Sequence, residues 1–286
     1  MGFEKVGDIL RDARKNGYGV CAYNCYHFES IKYAIDVAEE ESLPVIIMLY
    51  PGMASFIPVS TFAAITLDLA KKARVPVGLH LDHSEDFEMM VYAMQCGFPS
   101  IICDASKYPY EKNVAMTRDI MRVARAVGAE VEAELGHVGS GAKVEDYQDP
   151  SKYTDPDEAA RFVADTEIDY LAVAIGNSHG QYAQEPKLDI SLLERIADKV
   201  SIPLVMHGGS GIPDDQLAKT VKRGMVKFNI GTYYMRSFFD AAAEHTQTEA
   251  GKKARSGLWL GEKSEPGVKE FLRGRFRALN PDGKKV

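Results

Sequence analysis

Among its 286 residues the sequence contains no apolar run that approaches the roughly 20 residues of a membrane-spanning helix. An excess of positive charge is also missing. Lys and Arg total 34 against 41 Asp and Glu, a formal net charge of −7. That balance argues against a nucleic-acid partner or an anionic membrane surface, either of which calls for a basic patch. Cysteine is scarce, and Cys21, Cys25, Cys96 and Cys103 show no CxxC spacing. Several lie in apolar, strand-like runs, so they read as buried free thiols of a reducing, cytoplasmic protein. No Pro/Gly/Ser linker and no low-complexity stretch divides the chain, which predicts one domain over 1–286. The N-terminus lacks a signal-peptide pattern, and Phe3, Val6, Ile9, Leu10 and Ala13 set among charges predict an amphipathic helix. Gly2 is followed by Val6 where a myristoylation motif wants a hydroxyl. Apolar residues at 45% and charged residues at 26% fit a soluble globular protein and exclude a disordered one.

What is present is a recurring unit: a short apolar run, a loop, then a helix-period segment. The apolar runs are Tyr18–Tyr23, Pro44–Leu49, Val77–Leu81, Ser100–Cys103, Glu130–Ala133, Tyr170–Ala174, Pro203–Met206 and Val226–Ile230. Helical patterns fall between them, over Ser30–Glu41, Val59–Ala73, Asp86–Cys96, Glu111–Val127, Asp157–Thr166, Ile190–Lys199 and Asp214–Arg223. Near-continuous apolar strands alternating with helices predict a parallel sheet covered on both faces. Eight such units predict an α/β fold of the (β/α)8 TIM-barrel type. An open doubly wound sheet would carry a Gly-rich turn after its first strand, and Asn24-Cys25-Tyr26 has none. The stretch Gly136–Pro156 is too long for an ordinary connection and predicts a functional lid or a disordered excursion. Residues 233–286 predict a C-terminal helical extension, with helical character over Arg236–Glu249 and Val268–Leu279, packed on the barrel or on a neighbouring subunit.

Barrel active sites lie at the C-terminal ends of the strands. The first strand ends in Asn24, the third in Asp82-His83, the fourth in Asp104 and the fifth in Glu134. The loop after the sixth brings His179, the seventh ends in His207, and the eighth carries Asn229. A lone histidine there is most often structural. Three on separate strands of one rim, with three acids, make a site the better reading. Three converging neutral imidazoles suit zinc with an open fourth position, acting as a Lewis acid on a carbonyl. A metal-free histidine acid–base site is the competing reading. Asp104 and Glu134 read as partners that orient the imidazoles, as a second cation site, or as buried paired acids supporting loops. His80 shares a side with Asp82, or lies in the interior as a core histidine. Alternation along the strand places Asp82 opposite His83, as an acid–base group for carbon–carbon cleavage.

A second signal points to phosphate. His207-Gly208-Gly209-Ser210-Gly211 follows the seventh strand, and Asn229-Ile230-Gly231-Thr232 closes the eighth. Barrels bind phosphate between these loops, where glycine admits backbone N–H groups and hydroxyls donate. Gly176 and Gly180 extend the same surface. Such a cradle beside a carbonyl-polarising metal suits a phosphorylated ketose.

With these residues laid out, the chain resembles the class II, zinc-dependent fructose-bisphosphate and tagatose-bisphosphate aldolases from its N-terminal helix to about Thr232, and more loosely beyond. The matching motifs are Leu79-His80-Leu81-Asp82-His83, Asp104-Ala105-Ser106, Val131-Glu132-Ala133-Glu134-Leu135-Gly136, Ala174-Ile175-Gly176 through His179-Gly180, and His207-Gly208-Gly209-Ser210-Gly211. The resemblance implies Zn2+ ligands His83, His179 and His207, with Asp82 as proton donor. It places Asp104 and Glu134 at a second metal position for a divalent or monovalent (Na+ or K+) cation. It implies substrate contacts at Gly180, Gly208, Gly209, Ser210, Asn229, Ile230, Gly231 and Thr232, to which Asn24 on the rim is added. The implied reaction is reversible cleavage of a ketose 1-phosphate or 1,6-bisphosphate to dihydroxyacetone phosphate and an aldehyde, by a homodimer or homotetramer in the cytoplasm.

Four positions depart from the family pattern. The mobile loop reads Gly139-Ser140-Gly141-Ala142-Lys143-Val144-Glu145-Asp146, which makes Glu145 the candidate for the loop glutamate that handles the dihydroxyacetone proton. Tyr50 replaces a small hydroxyl residue, and Gly231 stands where fructose and tagatose enzymes differ. Phe271 falls at the arginine used for a second phosphate, with Arg273 and Arg275 nearby. All four changes concern the aldehyde half or the loop over it. They leave open a sugar-phosphate-binding protein, or an isomerase or epimerase, on the same scaffold. A Schiff-base aldolase would need an interior lysine, for which Lys227 is the candidate.

Overall fold

The computed structural model describes residues 2–286. Eight parallel strands close into a barrel in sequence order: β1 (Val20–Asn24), β2 (Val45–Leu49), β3 (Val77–Ser84), β4 (Ser100–Cys103), β5 (Glu130–Leu135), β6 (Tyr170–Val173), β7 (Leu204–Met206) and β8 (Met225–Ile230). The ring is completed by β1 lying beside β8, with Ala22 opposite Asn229. The strands fall where the apolar runs predict them. Runs such as Val45–Leu49 are buried throughout because their residues alternate between the barrel interior and the helices outside. The largest extensions are in β3 and β5, which run on past their apolar stretches through Asp82-His83-Ser84 and Glu134-Leu135. Polar residues there continue the ladder because they face the mouth of the barrel.

The outer layer contains α2 (Phe28–Glu41), α3 (Val59–Lys72), α4 (Phe87–Gln95), α5 (Tyr110–Val127), α7 (Pro156–Thr166), α8 (Ile190–Lys199) and α9 (Asp214–Val221). Their starts are chemically marked. Asp86, Asp155 and Asp189 each accept hydrogen bonds from the first backbone N–H groups of α4, α7 and α8. His27 and Ser30 form a reciprocal cap at α2, which accounts for one histidine outside the rim cluster. The N-terminal α1 (Val6–Asn16) buries Val6, Ile9, Leu10 and Ala13 against the barrel, as its pattern predicts. Its close approach depends on Gly78 of β3, where a Cβ would come within 2.9 Å of the Val6 side chain. Cys21, Cys25 and Cys103 are buried and Cys96 is half-buried, all as free thiols.

The two irregular segments are more structured than their composition suggests. Residues 136–156 fold into a short α6 (Val144–Tyr147) and a helical turn at Pro150–Lys152, and Ser140 bridges to His179 in the loop after β6. The C-terminal region divides into α10 (Thr232–Thr246), α11 (Glu249–Ala254) and α12 (Gly257–Leu279). The first expected helix is interrupted where Thr248 turns its hydroxyl to cap α11. The second begins well ahead of Val268 and runs through Pro266. Helix α12 packs on the barrel's own side, burying Val268, Leu272, Phe276 and Leu279, while Arg273 and Arg277 pair with Glu40 and Glu41 of α2. Among the described residues no helix is long and apolar enough to cross a membrane.

Phe276 is buried, with its ring centroid 5.9 Å from that of Tyr23 on β1. Phe276→Ala is therefore expected to lower stability by about 3–5 kcal/mol, the cost of truncating a buried aromatic. Urea unfolding of the variant against the wild type measures it; a near-unchanged midpoint would mean that α12 is only loosely docked.

Candidate metal centre and substrate cavity

The C-terminal strand ends open into a cavity of about 570 Å3. His83, His179 and His207 meet there, each offering one nitrogen, with those atoms within 4.8 Å of one another. A second group, His83, Asp104 and Glu134, meets the same criterion and shares His83 with the first. Each ring is oriented by a different element. His83 places Nδ1 2.8 Å from Asp104 Oδ2 after β4, and His179 places Nδ1 3.1 Å from the carbonyl oxygen of Val138 in the loop after β5. His207 directs Nε2 to Glu132 Oε1 at 2.7 Å, inside the barrel. With these outward nitrogens engaged, the others face the centre.

Charge is concentrated around the imidazoles. Burial, then neighbouring His83 and His207, pushes His179 down to about 4, leaving it neutral at pH 7. Burial acts the same way on His207, but the hydrogen bond to Glu132 and the nearness of Glu134 outweigh it and raise the ring to about 10. His83 is also raised, against burial, by the charge of Asp82 and the bond to Asp104. Three of the possible cation ligands are among the buried atoms that lack hydrogen-bond partners: His179 Nε2, His207 Nδ1 and Glu134 Oε2. The last two approach to 2.7 Å without hydrogen-bond alignment. Buried polar atoms left this way call for another ligand, and a cation among these donors would satisfy all three.

Asp82 lies beside the histidines but not on the opposite side of the strand, as simple alternation predicts. The backbone of His83 takes a positive φ of 42°, and the β3–β4 register shifts between Leu81 and Ser84. This local break in the pleat turns His83 to the inward side that Asp82 shares with His80, and Asp82 Oδ1 lies 3.8 Å from His83 Nε2. Asn24 Nδ2 donates to one oxygen of Asp82 at 2.8 Å and Asn229 Nδ2 to the other at 2.9 Å. Burial would raise this carboxyl, but the charges of His83 and His207 and the bond from Asn24 hold it below its usual value, so it is ionised.

Gly180, Gly208, Ser210, Asn229, Gly231 and Thr232 all line the cavity, as expected. Gly208 has φ of 67°, and a Cβ there would collide with Ser178 O at 2.0 Å. Ser210 Oγ accepts from Gly231 N at 3.1 Å, joining the loops after β7 and β8. Gly209 and Ile230 are not on the cavity wall. Ile230 alternates with the inward-facing Asn229, so its side chain points outward into the helical layer. Glu145 also lies off the wall, exposed on α6, while its neighbour Asp146 is held by Lys152 at 2.8 Å and by Ser140 N at 3.1 Å.

Beneath the centre lies a polar network that sequence reasoning missed. Glu132 accepts from His207 on one oxygen and from Lys227 Nζ, 2.7 Å away, on the other, and all three side chains are inaccessible to solvent. Lys227 is thus committed to an ion pair. His80 sits 3.8 Å from Glu132 with Nδ1 at 2.6 Å from Ser100 Oγ, a core histidine with Nε2 unpartnered. The available signal was the two-residue spacing of Glu130, Glu132 and Glu134 along β5, matched by Lys227 and Asn229 on β8. Asn177 was missed as well; its amide bonds to Ile175 N, Val173 O and His207 O and ties the β6 loop to β7.

The family model for class II fructose-bisphosphate aldolases matches residues 4–284. The chain belongs to this family. It is similar to YdjI of Escherichia coli K12, with 36% identity over 273 residues and 96% of each chain covered. The crystal structure of the YdjI aldolase superposes with a TM-score of 0.88 at 33% identity, covering 99% of this chain and 100% of that one. The D-tagatose-1,6-bisphosphate aldolase subunit GatY of Klebsiella oxytoca is 37% identical over 239 residues, covering 82% of this chain and 83% of GatY. This class II aldolase is accordingly a carbon–carbon lyase on a TIM barrel.

A cation held by His207 Nδ1 needs that nitrogen without its proton, whereas Glu132 and Glu134 favour the protonated ring. Zinc uptake is expected to release protons and to tighten as pH rises. Calorimetry in buffers of different ionisation enthalpy measures the release; an enthalpy independent of buffer would contradict it. Replacing the network beneath, as Glu132→Gln with Lys227→Met, is expected to weaken zinc binding by about 10–100-fold while the fold persists. Chelator competition, with circular dichroism as the check on folding, gives the result.

Proposed function

We propose that this enzyme is a zinc-dependent aldolase that reversibly cleaves a ketose 1-phosphate or 1,6-bisphosphate to dihydroxyacetone phosphate and an aldehyde, through an enediolate. The observation that carries the reading is the meeting, in one cavity, of three oriented imidazoles, a doubly anchored carboxylate and a glycine–hydroxyl cradle. His83, His179 and His207 would hold the cation, with Asp104 and Glu134 beside it. Bound there, a divalent cation supplies Lewis acidity toward the ketone oxygen and compensates the charge of the enediolate.

The protein's own groups account for the remaining steps. Backbone N–H groups at Gly180 and Gly208, with the hydroxyls of Ser210 and Thr232, would receive the phosphate, while Gly231 N stays bonded to Ser210 Oγ and holds the two loops together. Asp82, kept ionised and immobile by Asn24 and Asn229, takes the proton of the C4 hydroxyl as the C3–C4 bond breaks. The bonding electrons pass to the dihydroxyacetone half and the aldehyde departs. In the reverse direction Asp82 returns that proton to the aldehyde oxygen. Glu145 is assigned the C3 proton, which requires the loop around α6 to swing over the mouth.

Asp82→Ala is expected to lower the rate of cleavage by about 100–10,000-fold, the usual contribution of a positioned acid–base group. Dihydroxyacetone phosphate release from a panel of ketose phosphates, with and without chelator, measures this. Chelator-insensitive cleavage, or an undiminished Asp82→Ala variant, would overturn the mechanism. Glu145→Gln is expected to slow exchange of the C3 hydrogen of dihydroxyacetone phosphate with solvent, read by NMR in heavy water. Unchanged exchange would remove Glu145 from the reaction.

A further inference from the structure

In an eight-stranded ring, the ends of β2, β3 and β4 lie across the mouth from β7 and β8. A substrate whose phosphate rests on the β7 and β8 loops and whose carbonyl faces the histidines must therefore send its far end toward that opposite wall. The residues there are Tyr50 and Met53 after β2, Glu85 after β3, and Ser106 and Lys107 after β4. Among the described residues, Lys107 is the one lysine or arginine lining the cavity. It is already engaged, with Nζ 2.7 Å from Glu85, which also accepts from Tyr108 OH at 3.0 Å.

The arginines that might have replaced the one absent at Phe271 are directed elsewhere. Arg273 is held by Glu40 at 2.8 Å, and Arg275 by Asp214. Neither lines the cavity. Phe271 lies over Tyr234 on α10, their ring planes 10° apart. Nor does this wall offer a second backbone cradle. Pro51 has no N–H, and the Tyr50 ring covers Gly52 so closely that a Cβ there would lie 2.5 Å from it. A second phosphate would meet apolar surface and an ionised Glu85. Hydroxyl groups, by contrast, would find donors and acceptors in Tyr50, Ser106, Glu85 and Lys107.

We propose that the preferred substrate is a ketose 1-phosphate with an uncharged, hydroxylated far end, and that the Glu85–Lys107 pair excludes a second phosphate. The inference rests on the aldolase reading above. Its test compares kcat/KM for dihydroxyacetone phosphate release from fructose 1-phosphate and tagatose 1-phosphate against the corresponding 1,6-bisphosphates, with zinc-loaded wild type and Glu85→Gln. Both residues are exposed at the rim, so the substitution should leave folding intact. The 1-phosphates are expected to be favoured by about tenfold or more, and E85Q, which removes the opposing charge and frees Lys107, to narrow that ratio by about tenfold. A bisphosphate preferred over its 1-phosphate, or a ratio that E85Q leaves unmoved, overturns the inference while the aldolase reading stands. Release from none of the four substrates would overturn that reading, and this inference with it.

Discussion

The pairing of the first strand with the last is the constraint on which everything else in this molecule depends. Val20–Tyr23 hydrogen-bond alongside Lys227–Ile230, and this seam turns a parallel sheet into a ring. Because every strand runs in the same sense, every C-terminal end arrives at the same mouth. Asn24 and Asn229 are far apart along the chain, yet they reach the two oxygens of one carboxylate. Without closure, Asp82 would be a buried charge with half its partners.

The interior is layered accordingly. Glu130 receives the N–H of Gly7 near the floor, Glu132 occupies the middle with Lys227 and His207, and Glu134 reaches the mouth. Three carboxylates on alternate positions of one strand thus perform three tasks at three depths. The middle one matters most for the chemistry. A buried glutamate shared by a lysine and a histidine presents one imidazole nitrogen downward and leaves the other for the cavity, without any contribution from solvent. The loop after β5 acts similarly on His179: Val138 receives its ring N–H, and backbone bonds link Gly139 and Gly141 to the main chain of His179. A loop that moves over the substrate would therefore also be coupled to one of the histidines.

The two halves of the cavity are built on different principles. The β7–β8 side presents main chain, glycine and hydroxyls, and tolerates no larger residue at Gly208 because Ser178 lies against it. The β2–β4 side presents side chains, Glu85 paired with Lys107 among them. Backbone donors suit a fixed anion common to many substrates. Side chains suit the part of a substrate that differs among related enzymes.

Much of this was legible in the residues. Apolar runs such as Val45–Leu49 have only one comfortable place in an α/β protein, and their alternation with helical segments led to the barrel. The barrel then determined which ends to read together, and His83, His179 and His207 met as expected. Legibility declined wherever the decision depended on local backbone or on distant partners. The positive φ at His83 brings its side chain to the side that Asp82 occupies, since alternation holds only where the pleat is regular. Lys227 read as the lysine a Schiff-base aldolase would need and Glu132 only as part of a motif, because the pairing of the two spans 95 positions of sequence. The sequence by itself determined the strands, the ring and the chemistry of the rim, because burial and side-chain type are local properties of each segment. Only the tertiary structure decided which nitrogen each histidine offers, which carboxylate is free and which lysine is already occupied, because each of those depends on a partner brought close by closure of the ring.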